Sequence, residues 1–150
     1  GFDRPEDRPH TLSWLWTQFA AGFAVMLPMI WLFGQWGLES LVVIPILINV
    51  IGDGLAEPVG VRFGKYRYKT KALFTNKEYF RTFEGSACVL ITGFIVIAMH
   101  ADYFTTTQYV LSMLSVPVIM TLTEAYSPHT WDTPFLMFTG YVSLLLIMQF

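Results

Sequence analysis

Asp53 is the residue of this chain best placed to do chemistry. It stands in Ile51-Gly52-Asp53-Gly54, where the apolar stretch Leu41 to Ile51 gives way to a carboxylate flanked by two glycines. Glycine lets a backbone approach a ligand closely and adopt positive φ. A carboxylate held that way suits Mg²⁺, which takes one or two carboxylates and completes its shell with water and phosphate oxygens. The same tripeptide also reads as a turn at a helix end, because Asp-Gly is a common turn pair. Downstream, Arg62, Lys65, Arg67, Lys69, Lys71, Lys77 and Arg81 alternate in part with Phe63, Tyr66 and Tyr68. Such a run either fixes topology and meets anionic headgroups or neutralises phosphates beside a metal at Asp53. Gly60 to Lys65 is not a nucleotide-binding P-loop, since the spacing is wrong and Tyr66 stands where Ser or Thr is required.

Glu84 directly precedes Gly85 at the start of an apolar run, where an acidic residue also suits a helix dipole. Glu124 and Asp132 bracket Ser127-Pro128-His129-Thr130-Trp131. Eight residues apart and separated by Pro128, they do not share a helix face, but they can frame a site as metal ligand and base. His129 is a proton carrier, a partner for phosphate or a loop residue satisfied by its neighbours. His10 and His100 fall at expected interfaces. One cysteine and scattered histidines do not make a zinc site. Ser127, His129 and Asp132 are too close in sequence to assume triad geometry.

The elements that must position these groups are membrane spans. Of 150 residues, 54% are hydrophobic and 17% aromatic, while only 13% are charged against about 25% in a soluble domain. A net charge of −2 gives no sign of a nucleic-acid partner, and the single Cys88 forms no internal bridge. Ser13 to Phe33 runs 21 residues without a formal charge, with Trp14, Trp16 and Trp31 near its ends as interfacial anchors. The acidic Asp3, Glu6 and Asp7 before it do not fit the basic start of a signal peptide. Trp36 to Ala56, Gly85 to Met99, Tyr103 to Thr123 and Pro134 to Phe150 complete five expected spans. The expectation is therefore an all-α, polytopic transmembrane bundle forming one domain over 1–150, with its motifs in 50–134 and no strands. The missing initiator Met and the abrupt apolar end suggest a processed chain or a piece of a longer one.

Seven of the nine basic residues lie between the second and third spans. The positive-inside rule puts that loop on the cytoplasmic, stromal or matrix side. Span parity then brings Asp53, Glu57, the basic loop, Glu84, Glu124, His129 and Asp132 to one face. Charges at membrane depth cost about 2.5–3.5 kcal/mol each at a helix centre, which makes them functional candidates by default.

Three blocks resemble the CTP-dependent lipid-alcohol kinases (phytol, farnesol and dolichol kinases) and the related CDP-diacylglycerol synthases. The first is Gly52-Asp53-Gly54-Leu55-Ala56-Glu57-Pro58-Val59-Gly60 followed by Arg62-Phe63-Gly64-Lys65; the second is Arg81-Thr82-Phe83-Glu84-Gly85-Ser86; the third runs from Glu124 to Asp132. The wording of the first block is nearer the phytol and polyprenol kinases. The resemblance implies transfer of the γ-phosphoryl group of CTP to a membrane isoprenoid alcohol with Mg²⁺. It implies that Gly52, Asp53 and Gly54 meet metal and triphosphate, and that Arg62, Lys65 and Arg81 neutralise phosphates. It implies further that Glu84, Glu124 and Asp132 serve the reacting centre, with Asp132 a second metal ligand. Arg81 stands where Lys is usual, Thr133 where Asn often follows, and Asp7 to His10 is a poor match to the family's N-terminal basic block. A cytidylyltransferase and a non-catalytic subunit of a larger membrane complex are the alternatives. The family points to a bacterial inner membrane or a plastid (thylakoid) membrane.

Overall fold

A computed structural model of the chain describes residues 10–71, 78–129 and 131–150. Lys77, Thr130 and the acidic N-terminal segment therefore lie outside the described residues.

Helix α1 (Thr11–Gln35) holds no formal charge over its 25 residues. It ends where Gly37 takes a left-handed φ of 68°, which lets the Leu38 N–H return to the Phe33 carbonyl at 2.8 Å. A short 3-10 turn (Glu39–Leu41) leads into α2 (Val43–Leu47), a π-helical segment (Ile48–Asp53) and α3 (Gly54–Phe63). The second span, expected to end at Ala56, thus runs on to Phe63, and no turn interrupts it at the Gly-Asp-Gly sequence. The helix widens there and continues for ten residues, so Asp53 and Glu57 lie within it. Helix α4 (Phe83–Met99) opens with Thr82 as cap, its hydroxyl accepting the Gly85 N–H at 3.1 Å. Helix α5 (Thr106–Tyr126) opens with a reciprocal cap between Thr105 and Gln108. It ends before Pro128, and α6 (Asp132–Ile147) begins after it, as the proline predicts.

The fold is an all-α bundle of the membrane-helical kind. Thr11–Gln35, Glu39–Phe63 and Thr106–Tyr126 are long and apolar enough to cross a membrane; α4 and α6 are shorter apolar helices of 17 and 16 residues. Helix α4 packs between α3 and α5, while α6 packs against α5, α1 and α2. Phe33, Ile44, Ile48, Met120 and Tyr141 are fully buried in the common core, with Phe33 edge-on to Tyr141 at 5.3 Å. The Tyr141 hydroxyl donates to the Val42 carbonyl at 3.1 Å, satisfying the one polar atom of that ring. On α1, Trp16, Phe23, Leu27 and Trp31 face outward and exposed, which suits hydrocarbon and not water.

The expectation of no strands is corrected by an antiparallel hairpin, β1 (Arg67–Lys71) paired with β2 (Glu78–Thr82). Tyr68 opposes Arg81 and Thr70 opposes Tyr79, and these four turn toward the bundle. Arg67, Lys69, Lys71, Glu78 and Phe80 occupy the exposed face. The hairpin closes one end of the bundle. The Lys71 carbonyl accepts the His129 N–H at 2.9 Å, the Thr70 hydroxyl donates to the Ser127 carbonyl at 3.3 Å, and Tyr79 stacks on His129 at 3.8 Å.

Candidate functional site

The contact of α3 with α4 sets the site, and small residues make it possible. Gly52, Ala56, Gly60 and Gly64 recur every fourth residue, a pattern that lets helix backbones approach. A Cβ on Gly52 would lie 3.0 Å from the Val89 Cα, and one on Gly60 would lie 2.5 Å from the Thr82 Oγ1. From the other side, a Cβ on Gly85 would sit 2.7 Å from the Ala56 carbonyl oxygen. Gly52, Gly60 and Gly85 of the first two blocks are therefore explained by packing. Neither Gly52 nor Gly54 has positive φ, contrary to the ligand-cradle expectation; among the described glycines only Gly37 does. Gly54 differs from Gly52, since a Cβ there would meet nothing within 4 Å.

Above this contact, Arg81 reaches inward from β2. Its Nη1 donates to the Glu124 Oε1 at 2.8 Å and its Nη2 to the Asp132 Oδ2 at 3.0 Å. The three side chains are 11%, 5% and 16% exposed, so this is an ion triad largely removed from water. Burial works against the Arg81 charge, but Asp132 and Glu124 outweigh it and hold the guanidinium above its ordinary pKa, with Asp53 adding to the same effect. Two carboxylates in contact and a third within electrostatic reach give the cluster around Arg81 more acid than base.

The triad continues into a hydrogen-bonded chain. The Ser86 hydroxyl donates to the Glu124 Oε2 at 2.7 Å, and Tyr68 and Ser86 share a 2.6 Å bond. Serine has one proton, so once it is given to Glu124 the Tyr68 hydroxyl must donate to Ser86. Burial raises the Tyr68 pKa, partly offset by this bond to Ser86. On the other flank, the Gln18 Nε2 donates to the Asp132 Oδ1 at 3.2 Å and to the Thr133 Oγ1 at 2.7 Å. One polar network thus ties α1, β1, β2, α4, α5 and α6.

The residues singled out from sequence divide into three groups. Arg81, Glu124 and Asp132 are brought into direct contact, with Asp53 close enough to act on Arg81. Glu84 instead accepts the Lys65 N–H at 2.9 Å, and backbone N–H groups, led by that of Lys65, hold its carboxyl below the usual range. It secures the chain leaving α3 against the start of α4. Arg62 and the Lys65 side chain remain exposed, Arg62 lying over Phe63 at 5.6 Å, and neither joins the triad among the described residues. Sequence reasoning missed Gln18 and the roles of Tyr68 and Ser86. A glutamine inside an uncharged span was the available signal for the first.

Asp53 and Asp132 differ as metal ligands. Asp132 has one oxygen on Arg81 and the other on Gln18 and the Thr133 N–H, so it does not fit that role in this arrangement. Asp53 is half-buried beside the open space at Gly54, which fits a metal carried in by phosphate oxygens. Among the described residues no group of three or more His, Cys, Asp or Glu could hold a metal by protein ligands alone. Comparison of the chain with protein-family models, with curated proteins and with solved structures returned no match.

Proposed function

We propose that this chain is a membrane-embedded kinase that phosphorylates an isoprenoid alcohol with CTP and Mg²⁺. The observation that carries the reading is the Arg81 triad. It joins the second of the three resembling blocks to the third, with Asp53 of the first within electrostatic reach. Phosphoryl transfer asks mainly for positioning and for stabilisation of charge. Asp53 would hold Mg²⁺, which when bound offsets the charge of the triphosphate. Arg81 would meet a γ-phosphoryl oxygen by releasing one carboxylate. The alcohol oxygen forms its new bond to the γ-phosphorus as the bond to the β–γ bridging oxygen breaks. CDP leaves with that bond's electron pair, and the hydroxyl proton passes to Asp132 or Glu124. The basic hairpin faces the cytoplasmic or stromal side in this reading, of a bacterial inner membrane or a plastid membrane, and the isoprenoid tail lies among the apolar helices.

One observation favours a second reading, a non-catalytic membrane subunit: Arg81 is already paired with two carboxylates and can serve simply to latch the hairpin. CTP labelled at either the α or the γ phosphate, supplied with Mg²⁺ and a panel of phytol, farnesol, polyprenol, diacylglycerol and phosphatidate, separates the readings. Label from γ in an alcohol supports the kinase. Label from α in phosphatidate makes the protein a cytidylyltransferase. No transfer by folded protein leaves the subunit.

A further inference from the structure

Asn49 lies one turn before Asp53 on the π-helical segment, in the middle part of the 25-residue span Glu39–Phe63. It is 8% exposed, and its side-chain Oδ1 is buried with no hydrogen-bond partner. That is costly anywhere in a protein, and more so at a depth where no bulk water can satisfy it. A leucine would fill the same volume without the penalty, so the sequence alone supplies no packing reason for an amide there. The surrounding backbone is unusual as well. A π segment places one residue more in each turn than an α-helix, and such segments occur often at functional sites. Three residues along the same segment, Gly52 leaves room for Thr92 of α4, whose hydroxyl would lie 3.6 Å from a Cβ at Gly52. Thr92 is itself buried. Val50 and Ile51, the next residues along, are exposed apolar side chains, so the unpartnered amide is adjacent in the chain to a hydrocarbon-facing surface.

We propose that the Asn49 Oδ1 is the acceptor for the hydroxyl of a membrane-dissolved alcohol. An amide oxygen lacking a partner requires a hydrogen donor, and a neutral one is the only kind that crosses hydrocarbon cheaply. An alcohol whose tail occupies the lipid face at Val50 and Ile51 presents that donor without bringing charge into the bilayer. The inference deepens the kinase reading by assigning the hydroxyl a resting place one turn below Asp53, but the binding event does not need CTP and can be measured without it.

The test is equilibrium binding of tritiated farnesol to the purified protein in phosphatidylcholine nanodiscs, with no nucleotide. Unlabelled farnesol and farnesene, the hydrocarbon lacking the hydroxyl, serve as competitors. Wild type should bind farnesol and release it to unlabelled farnesol but not to an equal amount of farnesene. Asn49→Leu should weaken binding at least about 10-fold, the loss of one hydrogen bond to a buried acceptor. Its thermal midpoint should be equal to or higher than that of wild type, since an orphaned polar atom has gone. Asn49→Ala, which removes the acceptor without adding bulk, is the companion if Asn49→Leu does not fold; it should weaken farnesol binding while farnesene competition stays absent. Farnesol bound equally by wild type and by these variants overturns the proposal and assigns the amide to water. Effective competition by farnesene overturns it too. Binding as expected without any phosphoryl transfer leaves the alcohol site standing and removes the kinase. Transfer that persists in Asn49→Leu with unchanged KM for the alcohol does the reverse.

Discussion

Replacing Arg81 by Gln tests how the closed end of the bundle is held. The guanidinium is 11% exposed and bonds carboxylates that are 5% and 16% exposed. At an effective dielectric of about 20, opposite charges about 4 Å apart attract by about 4 kcal/mol. Two such contacts are offset in large part by the cost of burying three charges. Removing the cation deletes the attraction and keeps the burial cost of both anions, a change that typically destabilises by about 3–5 kcal/mol. Arg81→Gln should lose that amount in equilibrium unfolding in detergent followed by tryptophan fluorescence. Arg81→Lys should recover less than half, because a point charge cannot reach two carboxylates with a planar fork. The combined change Arg81→Met, Glu124→Gln and Asp132→Asn removes all the charge and keeps acceptors for Ser86 and Gln18. It should restore most of the loss, since neutral replacement of a buried ion cluster is often tolerated. An Arg81→Gln protein within about 1 kcal/mol of wild type would show that the triad is not closed in the folded protein.

Three further outcomes follow from separate features. Gly60→Ala should destabilise by about 1–3 kcal/mol through collision with Thr82, whereas Gly54→Ala should be neutral or stabilising by up to about 1 kcal/mol; the same unfolding assay compares them. Tyr68→Phe removes one hydrogen bond to Ser86 and should cost about 0.5–1.5 kcal/mol, with faster proteolysis within the hairpin as the specific sign. The Glu84 carboxyl has a folded pKa lowered from 4.5, so its contribution to stability is complete above that value and is lost as pH falls through the folded pKa. Wild type should therefore lose stability on acidification below about pH 4.5 by an increment that Glu84→Gln lacks, as measured by paired unfolding curves.

The helices were legible because long uncharged runs leave few alternatives. Pro128 marked the break between α5 and α6 correctly, and charge bias with span parity brought Arg81, Glu124 and Asp132 to one end. The hairpin was not legible. Its inward residues Tyr68, Thr70, Tyr79 and Arg81 alternate with outward charges, but both faces are polar, so the apolar period of two that identifies a strand is absent. The glycines misled for a related reason. Gly52 and Gly60 carry the same letters whether a ligand or a neighbouring helix approaches, and here Val89 and Thr82 approach. The π segment has no residue signature of its own, since it depends on how α2 and α3 are held by the packing around them. Nor could sequence spacing tell that Asp132 would be shared between Arg81 and Gln18, because Gln18 lies 114 residues away.

The most direct measurement is transfer of γ-label from CTP to farnesol with Mg²⁺ by wild type and by Asp53→Asn, in the same lipid and with matched thermal midpoints. Removing the carboxylate proposed to hold Mg²⁺ should lower the rate by about 10²–10³-fold while the Arg81 triad keeps the fold. Equal rates in the two proteins, or no transfer by folded wild type, would contradict the assignment of this cluster to phosphoryl transfer.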